Sequence, residues 1–216
     1  MQVVLLAGDS GVEGPESLRM VRGRPFVDWQ LDRFVASGAR SLVMCVGLHG
    51  EQIETHVRRA LDRGLTVGYS YAGEQRAGSG GQVRRAFARL EDEFVLTFGG
   101  RYLPFDYAAP LADLRAHPAA DATLAVSRRR GNVALDGDWV SRCEGAPDAD
   151  YAEYGALALR RSALQSIEDG AVWELSALLR KLARTGKMRA FVAPEPGFDV
   201  GSPELEQHLA ALPHEP

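Results

Sequence analysis

Cysteine is scarce in this chain. Cys45 and Cys143 are the only two among 216 residues, and neither has a neighbour at metal-type or redox-type spacing. That excludes a disulfide framework, a zinc knuckle and a thioredoxin-type pair. Cys45 lies inside the apolar run LVMCVG and reads as a small core residue, not a nucleophile. The five histidines share no i, i+4 or short zinc-type interval, so a histidine-built metal site is not expected. His49, in VGLHGEQ after a strand, is the one placed to face a site. No apolar run approaches the about 18 residues of a membrane span. The first residues show no basic stretch leading into an apolar one with a cleavage site. The expectation is a cytoplasmic protein with no membrane partner. Net charge is −4, so no broad basic footprint argues for nucleic acid. The longest basic run, Arg128-Arg129-Arg130, reads first as a solvated turn and second as a local anion contact.

What is present is periodic. VVLLA, SLVMCVG, LTVGYSY and FVLTF are short apolar runs of buried-strand type. Between them lie helical patterns: one from about Pro25 to Gly38 with Val27, Leu31, Phe34 and Val35 on one face, then GEQIETHVRRALDRG, with Ile53, Val57, Ala60 and Leu61 aligned, then GQVRRAFARL. This βαβαβαβ order predicts a mostly parallel sheet with helices on both faces. The second half changes to short strands, DATLAVSR, GNVALDGDWVSR and YGALALRR, with Asp136-Gly137 as a hairpin turn. A helix over WELSALLRKLAR, a strand MRAFVAP and a closing helix capped by Ser202-Pro203 follow. One domain spanning residues 1–216 is expected. In open parallel sheets ligands bind beyond the carboxyl ends of the strands, here the turns after Ala7, Gly47, Tyr71 and Phe98.

Those turns carry a resemblance. LLAG at 5–8, GRPFVDWQLDRF at 23–34, VGLHGEQIETHV at 46–57, VGYSYAGEQRAGSGGQVRRAF at 67–87, FVLTFGGRYL at 94–103, YGALALRRSAL at 154–164 and FDVGSPELEQHL at 198–209 occur in order along the chain. Together they resemble the sugar-1-phosphate nucleotidyltransferases, in particular the mannose- and heptose-1-phosphate guanylyltransferase-like members. The resemblance implies a Rossmann-like nucleotidyltransferase fold with a smaller, mixed, sugar-side half. It implies attack of a sugar-1-phosphate on the α-phosphate of GTP or another triphosphate, with Mg²⁺ as cofactor. It places nucleotide-binding roles on Leu6, Ala7, Gly8, Asp9, Gly11, Gly78, Ser79 and Gly80. Sugar-side roles fall on Gly100, Arg101, Glu144, Glu153 and Gly155, and Asp199 matches a catalytic, metal-binding Asp.

The same alignment exposes departures. Asp9 stands where the family's loop has its second Gly, Val12-Glu13 follow Gly11 in place of the loop Arg, and Glu16 follows Pro15 where a Lys belongs. Phe98-Gly99-Gly100 replaces N-G-D and loses one metal carboxylate; Glu144 survives, but Gly145 replaces the Lys beside it. Glu153 stands for an Asn. Removing one preorganised electrostatic contact costs about 2.7–4 kcal/mol, or roughly 100–1,000-fold in rate. Losing several predicts poor nucleotidyl transfer, unless Arg76, Arg101 or Asp9 restores the contacts. Two expectations remain open: a divergent or repurposed enzyme binding a sugar phosphate or nucleotide-sugar, and a catalytically silent homologue that partners an active transferase or senses its product. The expected partner chain is an active homologue or a second copy in a homo-oligomer. A third reading, Ser10 of GDS as an esterase nucleophile, lacks the accompanying Asp-x-x-His near the C-terminus.

Overall fold

The computed structural model describes residues 1–8, 14–59, 64–72, 77–143 and 148–212. β1 (Gln2–Ala7) is buried along its whole length and lies deep in the sheet. Its one polar residue, Gln2, is satisfied by Ser41 Oγ, the Arg89 carbonyl and the Glu91 N–H. β2 (Met20–Val21) and β3 (Arg24–Pro25) form a small hairpin that feeds α1 (Phe26–Ala36). β4 (Ser41–Val46), α2 (Gly50–Arg59), β5 (Thr66–Tyr71), α3 (Gly78–Arg85) and β6 (Glu93–Phe98) complete the alternating half. Val27, Leu31 and Phe34 of α1 and Ile53 and Val57 of α2 are buried as the periodicity requires; Ala60 and Leu61 lie outside the described residues.

After β6 comes β7 (Arg101–Tyr102), then α4 (Ala108–Ala116), a helix the apolar pattern did not announce. Pro110 sits in its first turn, where the missing N–H has no intrahelical partner to lose. β8 (Ala122–Ser127), β9 (Val133–Asp136), β10 (Trp139–Cys143) and β11 (Ala152–Arg160) follow, with the hairpin at Asp136-Gly137 as expected. Last come α5 (Leu175–Arg184), β12 (Met188–Val192), β13 (Phe198–Asp199) and α6 (Pro203–Ala211). Ser202 caps α6 by accepting the Leu205 N–H at 3.2 Å, with Pro203 at the first position.

Nine strands form one sheet in the order β5-β4-β1-β6-β11-β8-β12-β10-β9. All but β11 and β10 run in the same direction. The sheet is therefore mostly parallel, and its mixed half continues the parallel one instead of standing apart. α1, α2 and α4 cover one face, with Leu31, Ile53 and Leu114 in that core. α3 and α5 cover the other through Val83, Leu178 and Leu182. A third apolar cluster, Val21, Phe26, Tyr102, Leu205 and Leu209, packs α6 and the β2–β3 hairpin beside β7.

Candidate functional site at the carboxyl edge of the sheet

The parallel strands bring Ala7, Val46, Tyr71 and Phe98 to one edge. Gly99 N–H donates to the Leu6 carbonyl at 2.8 Å, drawing the turn after β6 across the end of β1. A Cβ at Gly99 would stand 2.9 Å from Ser17 Oγ and 3.1 Å from Ala7 Cα, so only glycine passes there. A Cβ at Gly8 would lie 3.0 Å from the Gln82 amide of α3. Leu6, Ala7, Gly8 and the Gly78-Ser79-Gly80 turn are thus gathered at one place. Asp9 and Gly11 lie outside the described residues, as do Arg76 and Glu144.

The Gly-Ser-Gly-Gly turn packs tightly against the chain's own segment 171–175. Gly81 N–H donates to the Trp173 carbonyl at 3.0 Å, and Trp173 N–H returns to the Ala77 carbonyl at 2.9 Å. Ser79 donates its hydroxyl to the Glu174 carboxylate at 2.8 Å and its N–H at 3.3 Å. A carboxylate therefore stands at the start of α3, where backbone N–H groups favour negative charge.

At the positions that the resemblance assigns to the sugar, β7 and β13 pair antiparallel and set Arg101 opposite Asp199. Their side chains approach to 3.4 Å, Nε to Oδ1, with Arg101 one-quarter exposed and Asp199 mostly so. Arg101 Nε itself is buried and has no hydrogen-bond partner among the described residues. The Arg101 side chain lies over Gly155, where a Cβ would be 2.9 Å from Cδ; Gly155 also holds φ +109°, which a side chain would strain. Thr97 Oγ1 holds the Gly155 carbonyl at 2.9 Å. Gln30, buried on α1, donates to the carbonyls of Phe98 at 2.9 Å and Arg101 at 2.8 Å, fixing the turn between them. Glu153 accepts from Asn132 Nδ2 at 3.2 Å and Cys143 Sγ at 3.3 Å. Tyr154 beside it is pushed above the ordinary phenol range by burial.

At Gly100 the Glu16 carboxylate fills the room: its Oε2 is 2.7 Å from where a Cβ would stand. The position that the resemblance assigns to a metal-binding Asp is thus approached by a carboxylate from a different segment. Asp199 faces a guanidinium, and the described residues hold no group of three or more His, Cys, Asp or Glu side chains able to bind a metal.

Sequence reading missed Gln30, Thr97 and Glu174. Gln30 had left a signal: it falls on the apolar stripe Val27, Leu31, Phe34, where an unexplained polar residue must have a buried partner. His49 is half-buried in the turn after β4. Burial pushes the Cys45 thiol up to about 12, consistent with a core residue. A polar groove lined by Asp92, Glu93, Arg115, Arg160 and Arg161 lies at the opposite end of the sheet, where each arginine is ion-paired. No helix among the described residues is long and apolar enough to cross a membrane.

No family model matches the chain. Solved structures do. HddC from Yersinia pseudotuberculosis superposes with a TM-score of 0.78 at 19% identity, covering 97% of each chain; the same protein is also known complexed with GMP-PN. A Bacillus anthracis protein assigned as a glucose-1-phosphate thymidylyltransferase, solved with sucrose, gives 0.80 at 13% identity, covering 100% of this chain and 97% of that one. The inositol-1-phosphate CTP transferase of T. maritima gives 0.79 at 15% identity, over 97% and 94%. This chain has the Rossmann-like nucleotidyltransferase fold of those proteins.

Proposed function

We propose that the chain binds a sugar phosphate, or the sugar-phosphate part of a nucleotide-sugar, across the carboxyl edge of its sheet, and that ordinary nucleotidyl transfer is weak or absent. The observation that carries this reading is Arg101. Its side chain lies over Gly155 of β11, beside the end of β6, and is one-quarter exposed, with Nε turned toward Asp199 at 3.4 Å and no hydrogen bond from its terminal nitrogens among the described residues. It offers a phosphate a charged, directional donor. Asp199 holds that cation in place, and Glu153 supplies an acceptor for sugar hydroxyls. Leu6 to Gly8 and the turn at Gly78-Ser79-Gly80 border the nucleotide end, to which the resemblance also assigns Asp9 and Gly11; it assigns Glu144 to the sugar side.

A second reading, a silent homologue that partners an active transferase, is favoured by Glu174 and Glu16. Both place carboxylates where a triphosphate and its metal would bring charge of their own. A thermal-shift panel separates the two. The ligands are GTP, ATP, CTP and UTP with Mg²⁺ or EDTA, their sugar conjugates, and free hexose and heptose phosphates. A native-state ligand raises the midpoint through linkage. The enzyme or sensor reading expects shifts with sugar phosphates or nucleotide-sugars that disappear in Arg101→Ala. No shift with any of them overturns it in favour of the silent partner. A pyrophosphate-release assay then measures transfer, expected to be at background.

A further inference from the structure

The arginine run at 128–130 is absorbed by neither the fold nor the site so far described. It follows β8, which runs in the same direction as β1 and β6, so it opens on the edge that carries Gly8 and Arg101. In the sheet only β11 separates β6 from β8. Two strand spacings put the run about 10 Å from the end of β6, within reach of arginine side chains extending from both sides. Its neighbours are the sugar-side residues: Ser127 pairs with Ala152 and Val126 with Glu153. Gly131 is pressed against Ala152, and Asn132 bonds Glu153, so the loop folds back over the start of β11.

All three arginines are exposed. The Arg129 side chain bonds only the Ser127 hydroxyl, at 3.3 Å, among the described residues. Arg130 faces Asp148 at 3.5 Å with both side chains more than 70% exposed, a pairing of little strength. No carboxylate among the described residues pairs with Arg128. Other arginines are held by the chain itself: Arg115 and Arg160 pair with Glu93, Arg161 with Asp92 and the largely buried Arg189 with Asp113, while Arg33, Arg84, Arg85 and Arg89 donate to main-chain carbonyls. In a chain of net charge −4, three adjacent cations left largely uncompensated among the described residues at this edge fit an external anion.

We propose that Arg128, Arg129 and Arg130 form an anion subsite at the sugar end, selecting a sugar phosphate whose sugar carries a second negative group, a carboxylate or a second phosphate. The inference rests on the sugar-phosphate reading above. With the anomeric phosphate toward Arg101, the second group reaches the arginine run across one hexose ring.

The test is titration calorimetry of the whole chain with glucose 1-phosphate, glucuronic acid 1-phosphate and glucose 1,6-bisphosphate. Both sugars with a second anionic group are expected to bind about tenfold or more tightly than glucose 1-phosphate, with a steeper loss as salt rises. In the Arg128→Gln/Arg129→Gln variant the ratio falls toward one, while its thermal midpoint without ligand reports that the fold is kept. Equal binding of all three sugars by the unaltered chain overturns the subsite and leaves the sugar-phosphate reading standing. A preference that persists in the variant also overturns it. Binding of none overturns both.

Discussion

At Gly100 two substitutions relative to the resembled motif meet in space. An Asp there is absent, and the Glu16 carboxylate, standing where a Lys is expected, occupies the adjoining room. Gly100→Asp alone sets two carboxylates together, and Glu16→Gln relieves them. A double-mutant cycle by urea denaturation is expected to give a coupling of about 0.5–1 kcal/mol; strict additivity would remove Glu16 from that position. Gly155 makes a second residue-scale case. Gly155→Ala forces a side chain to φ +109° and into Arg101. It should cost about 1–3 kcal/mol of stability and weaken sugar-phosphate binding. Normal affinity in the folded variant would show that Arg101 does not touch ligand.

Ionisation adds a third. In the folded chain Cys45 is raised to about 12 by burial, whereas the unfolded chain ionises it near 9. The stability it contributes is complete below the unfolded value and is lost as pH rises toward the folded one. Native protein should leave Cys45 unalkylated by iodoacetamide at pH 8, and denatured protein should alkylate it fully. Rapid native labelling of Cys45 would contradict its place in the core.

Among the elements, α6 does more than close the chain. Leu205 and Leu209 pack with Tyr102 and Phe198, the neighbours of Arg101 and Asp199, and His208 lies against both rings. The β7–β13 pairing that sets the site therefore leans on this helix. Ser202→Ala removes its cap and should cost about 1 kcal/mol, read as a lower urea midpoint, with a proportionate loss of sugar-phosphate affinity. Unchanged stability would mean that α6 contributes little to the fold. Its start was readable because Ser-Pro-Glu-Leu puts a capping hydroxyl and a helix-compatible proline side by side. α4 was hidden for the opposite reason: its alanine-rich turns give little apolar contrast, and Pro110 reads as a breaker until its place in the first turn is known.

For the molecule as a whole, the sheet order ranks local stability. β1 pairs on both sides and is wholly buried, while β5 and β9 are edges. Amide exchange is expected to be slowest in β1 and fastest in the edge strands; comparable rates would contradict the order. Strand-helix alternation and the buried faces of α1, α2, α3 and α5 were legible, since periodicities of 2 and 3.6 are local, and the edge where the parallel strands end together follows from that alternation. The apolar character of VVLLA and the capping chemistry of Ser202 belong to the sequence alone. The site's partnerships do not: Arg101 meets Asp199 through a strand pairing across nearly half the chain, and Ser79 meets Glu174 over 95 residues. Such contacts carry no local periodic signal. They arise where strand order, helix docking and backbone crossings too close for a side chain bring remote charges together, and only the tertiary structure decided them.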